Sequence, residues 1–175
     1  MRRTTDDPST PLDGDDAIAK VRELLPKFRC AMMVTHDEHA AVHVRPVGLQ
    51  GNVATFGGVL WFFTDQRSRK VEESSGGVAV SLVCQNDAES AYLHLVGRIT
   101  LERDLSTMRE LFTPVEQVWF PDGLDDPNIT LRKFAAEGGA YWDRPGGSLR
   151  LLAAFAKAVV TGVQATGSVH GDLRL

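Results

Sequence analysis

Apolar and polar residues follow two rhythms along the chain. Between Asp15 and Leu25, the residues Ile18, Val21, Leu24 and Leu25 recur at three- and four-residue spacing. That spacing predicts an amphipathic helix, capped by Asp15 or Asp16 and stopped near Pro26. From Phe28 the rhythm shortens to two. Residues 28–35 form an apolar strand, and His36-Asp37-Glu38-His39 a polar turn. On the returning strand, 41–49, Val42, Val44 and Pro46 alternate with Ala41, His43, Arg45 and Val47. Pro46 cannot donate to a ladder, so this strand is expected at an open edge. Further strands are predicted at 60–64, 78–85, 91–102 and 129–136, the last extended by 140–143. Gly97 is expected to mark a bulge or tight bend. Short helices are predicted at 68–73, 104–112 and 149–160.

Six strands at short spacing with peripheral helices favour a small antiparallel barrel over a βαβ sheet. Residues 1–14 read as a disordered arm, 15–161 as one domain including the C-terminal helix, and 162–175 as a loose tail.

The most informative stretch is Leu60-Trp61-Phe62-Phe63-Thr64-Asp65, followed by Arg67, Ser68, Arg69 and Lys70. An aromatic strand leads into a basic corner at the head of a short helix. Ser68 at an N-cap, with free amides behind it, is a natural anion site. The adjacent cations make phosphate the best fit, since it accepts several charge-assisted hydrogen bonds. The aromatic strand beside it calls for a flat ring, so the expected ligand is a planar, phosphorylated cofactor.

Composition narrows the remaining options. The 175 residues are 43% hydrophobic and 24% charged, with a net charge of −4. No basic face tracks a nucleic-acid backbone, and no apolar run spans a bilayer. Met1 to Pro8 lacks a signal peptide's apolar stretch, so a cytoplasmic protein is expected. Cys30 and Cys84 both sit in apolar strands and read as buried thiols, with a bridge between them left open. His36, His39 and His43, with Asp37 and Glu38, match no closed zinc spacing and read as turn residues; no metal is assigned. No nucleophile elbow, P-loop or Gly-x-Gly-x-x-Gly occurs, and no catalytic residue is assigned. Trp119-Phe120-Pro121 is a loop expected to cover a pocket or meet a second subunit.

Arg45-Pro46-Val47, then Leu60 to Asp65, then Ser68-Arg69-Lys70 resembles the FMN-binding split-barrel superfamily, which includes pyridoxine 5′-phosphate oxidase. Trp119-Phe120-Pro121-x-Gly123 with Asp126-Pro127, and Tyr141-Trp142-Asp143 before Pro145-Gly146-Gly147, are similar to its general stress protein 26 branch. The resemblance spans 17–147. It implies a six-stranded split barrel, mainly β with peripheral helices, forming a homodimer with two flavin sites at the interface. It also implies that Arg45 reaches the phosphate or ribityl chain, and that Pro46 and Val47 offer backbone to the ring edge. Phe63 and Thr64 would contact the ring and phosphate side, and Ser68, Arg69 and Lys70 would hold the phosphate. Tyr92 falls where the oxidase has a glutamine from the opposing strand, and Trp119 would arrive from the partner.

Gln50 replaces the oxidase's lysine, and the final residues lack its Arg-x-His segment, so pyridoxamine phosphate oxidation is not expected. The expected function is FMN binding with oxidoreductase chemistry through the flavin on an unknown small molecule, with FAD as the alternative flavin. A non-enzymatic flavin carrier or sensor, or an F420 or haem binder, are the other readings.

Overall fold

The computed structural model describes residues 11–49, 53–65, 77–143 and 169–175. In order, the elements are β1 (Leu12–Asp13), α1 (Gly14–Leu24), β2 (Cys30–His36), β3 (Val42–Gly48) and β4 (Val59–Asp65). These are followed by β5 (Val78–Asn86), β6 (Ala91–Glu102), α2 (Leu105–Leu111), β7 (Ile129–Asp143) and β8 (Val169–Arg174). The helices expected at 68–73 and 149–160 lie outside the described residues.

The six expected strands are β2 to β7, and β1 and β8 add to them. The tail read as loose therefore ends in a strand, antiparallel to β7, while Leu12 and Asp13 of the expected arm pair in parallel with it. Its period-two signal is thin, because Gly171 and Asp172 interrupt the apolar positions around Leu173.

All eight strands belong to one open sheet, ordered β1-β8-β7-β6-β5-β2-β3, with β4 also on β7. β7 is the spine. One of its sides carries β6; the other carries β4 along 129–135 and β8 along 138–143. β3 pairs only with β2 and β4 only with β7 among the described residues. The sheet curls so that these two edges approach without forming a ladder, which makes the barrel split.

Alternation decides what fills it. Met33, Leu60, Leu82, Leu95 and Phe134 point inward and are almost wholly buried. α1 closes one side with Ala17, Val21 and Leu24, while Ile18 is only half-buried. The helix starts two to three residues earlier than expected. Asp13 occupies the cap position without a side-chain hydrogen bond, and Asp15 and Asp16 sit in the first turn, where their charge suits the helix dipole. Arg22 donates from Nε and Nη2 to the Phe56 carbonyl at 3.1 and 2.7 Å, tying α1 to the loop before β4.

A second, smaller cluster lies on the outer side of β4 and β7. Met108 of α2 packs there with Ile129 and Leu131. Asp104 caps α2, accepting from the Ser106 amide at 3.0 Å and from the Thr107 hydroxyl at 2.6 Å. Hydrogen bonds from Ser106 and Thr107 hold its carboxyl down to about 2.

The expected bulge is present: the β6–β7 register shifts between Val96 and Gly97. The polar turn 36–39 behaves as turn chemistry demands. Asp37 accepts from the His39 and Ala41 amides at 2.9 and 3.0 Å, and its other oxygen lies 3.1 Å from His43 Nε2. No helix among the described residues is long and apolar enough to cross a membrane.

Candidate functional site

A cavity of about 540 Å³ opens where the barrel is split. That size falls within the range of small-molecule sites. One wall is the end of β3, with Pro46, Val47 and Gly48. The facing wall is β4, with Trp61, Phe62 and Phe63. Among the described residues both walls are strand edges, so backbone outside any ladder flanks the space alongside the rings.

The roof comes from the segment after α2. Phe63 meets Phe112 edge-on at 5.5 Å and Phe120 at 6.4 Å. Glu116 is buried, and its carboxylate accepts from the Thr113 amide at 2.9 Å and from the Thr113 hydroxyl. The Glu116 carbonyl in turn accepts from the Trp119 and Phe120 amides at 3.0 and 2.9 Å. This tight turn sets both aromatics at the cavity, with Trp119 on the rim at 76% exposure.

Four of the expected residues, Pro46, Val47, Phe63 and Trp119, thus line one cavity. Trp119 does so within its own chain, whereas the resemblance implied that it arrives from a partner. Arg45 adjoins the cavity through Pro46. Its half-buried side chain points into the barrel, and its Nη2 donates to Thr35 Oγ1 at 3.3 Å. Thr64 sits at the same end, opposite Thr130. Tyr92 does not line the cavity. It lies on the outward face opposite Trp142, and its hydroxyl donates to Asp87 at 3.0 Å. Ser68, Arg69 and Lys70 lie outside the described residues.

Sequence reasoning does not find Cys30, Trp61, Leu111 or Glu116 in this site. Cys30 corrects an expectation, because it is exposed rather than buried. It opens β2 with outward parity, while Ala31 and Met33 point in. Cys84 is buried as expected, and burial, with Cys30 nearby, pushes its thiol up to about 12. Both cysteines are free. Among the described residues no cluster of three or more His, Cys, Asp or Glu could hold a metal ion.

Residues 16–166 match the family model described as pyridoxamine 5′-phosphate oxidase like. No curated protein matches the chain. Among solved structures, a protein described as a general stress protein 26 from Jannaschia sp. CCS1 superposes with a TM-score of 0.74 at 22% identity, covering 93% of this chain and all of that one. A Clostridium acetobutylicum protein related to general stress protein 26 is 26% identical, with a TM-score of 0.59, covering 72% of this chain and 87% of that one. The general stress FMN/FAD binding protein of Xanthomonas citri is 22% identical, with a TM-score of 0.61, covering 74% and 90%. With an open, mainly antiparallel barrel and a family model matched over most of its length, the chain belongs to the pyridoxamine 5′-phosphate oxidase-like family, within the FMN-binding split-barrel superfamily.

Proposed function

We propose that the protein binds FMN in the cavity between β3 and β4, as a homodimer, and works as an oxidoreductase on a small molecule. The observation that carries this is the cavity itself, a space walled by two unladdered strand edges and by Trp61, Phe63 and Trp119. Unpaired strand groups suit the polar rim of a heterocycle, and aromatic faces suit its plane. Arg45, inward and adjacent, supports placing the phosphate toward the barrel's interior, and Ser68, Arg69 and Lys70 come shortly after β4 in the sequence. In this reading Pro46 and Val47 meet the ring edge, Phe63 and Thr64 its ring and phosphate sides, and Tyr92 faces the partner subunit.

The dimer is supported by the outward face of the sheet. Met32, Val44, Val83, Val96 and Trp142 stand 37–54% exposed there, more apolar surface than a lone subunit normally leaves open. FMN, when bound, supplies reversible electron transfer; the chain supplies its position and excludes water.

A non-enzymatic carrier is the second reading, favoured by one observation. The cavity's carboxylate, Glu116, is engaged by Thr113 rather than presented as an acid or base. Protein purified at twice the chain mass, with flavin absorbance and FMN released as identified by mass, is the expected result. A Soret band, or no chromophore with no FMN uptake, rejects the reading. Reduction of the bound flavin by NADH or NADPH then separates the enzyme from the carrier.

Trp119→Ala tests the rim. Its side chain is mostly solvent-exposed, so stability should change by less than about 0.5 kcal/mol. FMN affinity should fall roughly three- to ten-fold, the worth of one aromatic pair. An unchanged Kd by fluorescence titration would remove Trp119 from the site.

A further inference from the structure

One buried charge has no place in the fold's own chemistry. Arg132 lies on β7 between Thr130 and Phe134, on the face that points into the barrel. It is 5% exposed, and its Nε has no hydrogen-bond partner. Among the described residues no carboxylate pairs with it. Burying an unsatisfied cationic donor is costly, and an apolar side chain of similar volume would pack there without that cost.

The surroundings make the charge harder to hold. Arg45 also points inward, from β3 opposite the fully buried Met33. Burial, and repulsion from Arg45, both hold the Arg132 guanidinium below its ordinary value. The other polar inward side chains at this end are Thr35, His43, Thr64 and Thr130, with His43 held by Asp37 at 3.1 Å. From here the interior is apolar as far as Asp143 at the opposite end of β7. The Thr130 hydroxyl already donates to the Glu102 carbonyl at 3.0 Å, and Thr35 Oγ1 accepts from Arg45. It is therefore the two guanidinium groups, gathered at one end of a largely hydrocarbon core, that form a receptor for an anion and not a packing element. Guanidinium geometry matches the oxygens of phosphate better than any other common group.

We propose that Arg132 and Arg45 form a paired seat for a phosphate monoester inside the mouth of the barrel. The inference rests on the FMN reading for the identity of the ligand, but not for the existence of the seat. A phosphate dianion neutralises both arginines and satisfies the orphaned Nε. Ligands lacking the phosphate leave the seat unfilled, so Arg132 confers preference for the phosphorylated form.

The test compares wild type, Arg132→Met and Arg132→Lys, stripped of small molecules, in thermal melts with and without inorganic phosphate. Titrations with FMN and with riboflavin follow. Wild type should melt higher in phosphate. Arg132→Met should melt at or above wild type without phosphate and lose the phosphate response, and Arg132→Lys should keep part of it. The FMN Kd should rise about ten- to a hundred-fold in Arg132→Met, with riboflavin binding unchanged. If wild type does not respond to phosphate, or Arg132→Met binds FMN as wild type does, the seat is refuted and the flavin reading survives. If phosphate stabilises through Arg132 and no flavin binds, the seat stands and the flavin reading falls. Should Arg132→Met not fold, Arg132→Lys decides alone: an undiminished phosphate response and FMN affinity in it overturn the proposal.

Discussion

Gly97→Ala is expected to destabilise the protein by about 3 kcal/mol or more, enough to leave much of it insoluble on expression. A Cβ at position 97 would stand 2.1 Å from the Ala135 carbonyl oxygen, 2.9 Å from its carbon and 3.0 Å from the Ala136 Cα. All three are backbone atoms of the neighbouring strand, so no rotamer change relieves the contact. The strands must separate at the bulge, where β6 steps its register against β7. β7 also carries β4, so the damage spreads to the cavity wall. Gly57→Ala is the control. Its added methyl meets only the Thr55 carbonyl oxygen at 3.9 Å, and it should be neutral or stabilise by up to about 1 kcal/mol. Equal urea midpoints for the Gly97→Ala and wild-type proteins would refute the account of the bulge.

Asp143→Ala is expected to cost about 3 kcal/mol and to lower Tm by about 6–12 °C. Asp143 ends β7 almost wholly buried, and its two oxygens each accept a hydrogen bond at 3.0 Å, from Lys20 and from Lys27. Lys20 also pairs with Glu23 at 3.1 Å and stands over the Tyr141 ring. One carboxylate thus ties α1 and the turn after it to the end of the spine. Its removal leaves two partly buried ammonium groups facing each other.

The pH dependence follows from the directions of the shifts. Burial alone would raise the Asp143 carboxyl, but the hydrogen bonds from Lys20 and Lys27 outweigh it and its value is lowered. Its contribution is therefore complete above the ordinary carboxylate range and is lost as pH falls through the lowered folded value. Burial also opposes the charge on Lys20, yet Asp143 and Glu23 raise it overall, so its share fades only at high pH. The difference between wild type and variant should be widest around neutrality and shrink in acid. A gap that persists unchanged to low pH would show that Asp143 acts through packing and not through charge.

The long strands β2, β3, β5 and β6 were legible because burial on one face imposes a period of two, whereas β7 is buried on both faces along 129–132 and was legible from its length and apolar content. The open edge at Pro46 and the bulge at Gly97 were legible because each residue lacks something the ladder requires. What a linear reading missed depends on elements meeting across the barrel. Glu116 reads as a surface charge until its turn is folded against Thr113. Leu131-Arg132-Lys133-Phe134 reads as a strand with two solvated cations. Parity held the clue, since Arg132 shares its face with Thr130 and Phe134 while Lys133 does not. The Leu173 strand was hidden by its glycine, Gly171, which lies against the Tyr141 ring, and by the polar residues beside it.

The unladdered edges of β3 and β4 have a consequence for handling the protein. Each edge offers donors and acceptors that strands from other molecules can recruit, the first step of edge-to-edge aggregation. Pro46 blunts one of them by lacking an N–H. The flavin proposed for the gap would shield the rest, so protein depleted of it is expected to lose colloidal stability, clouding on storage well before its core unfolds.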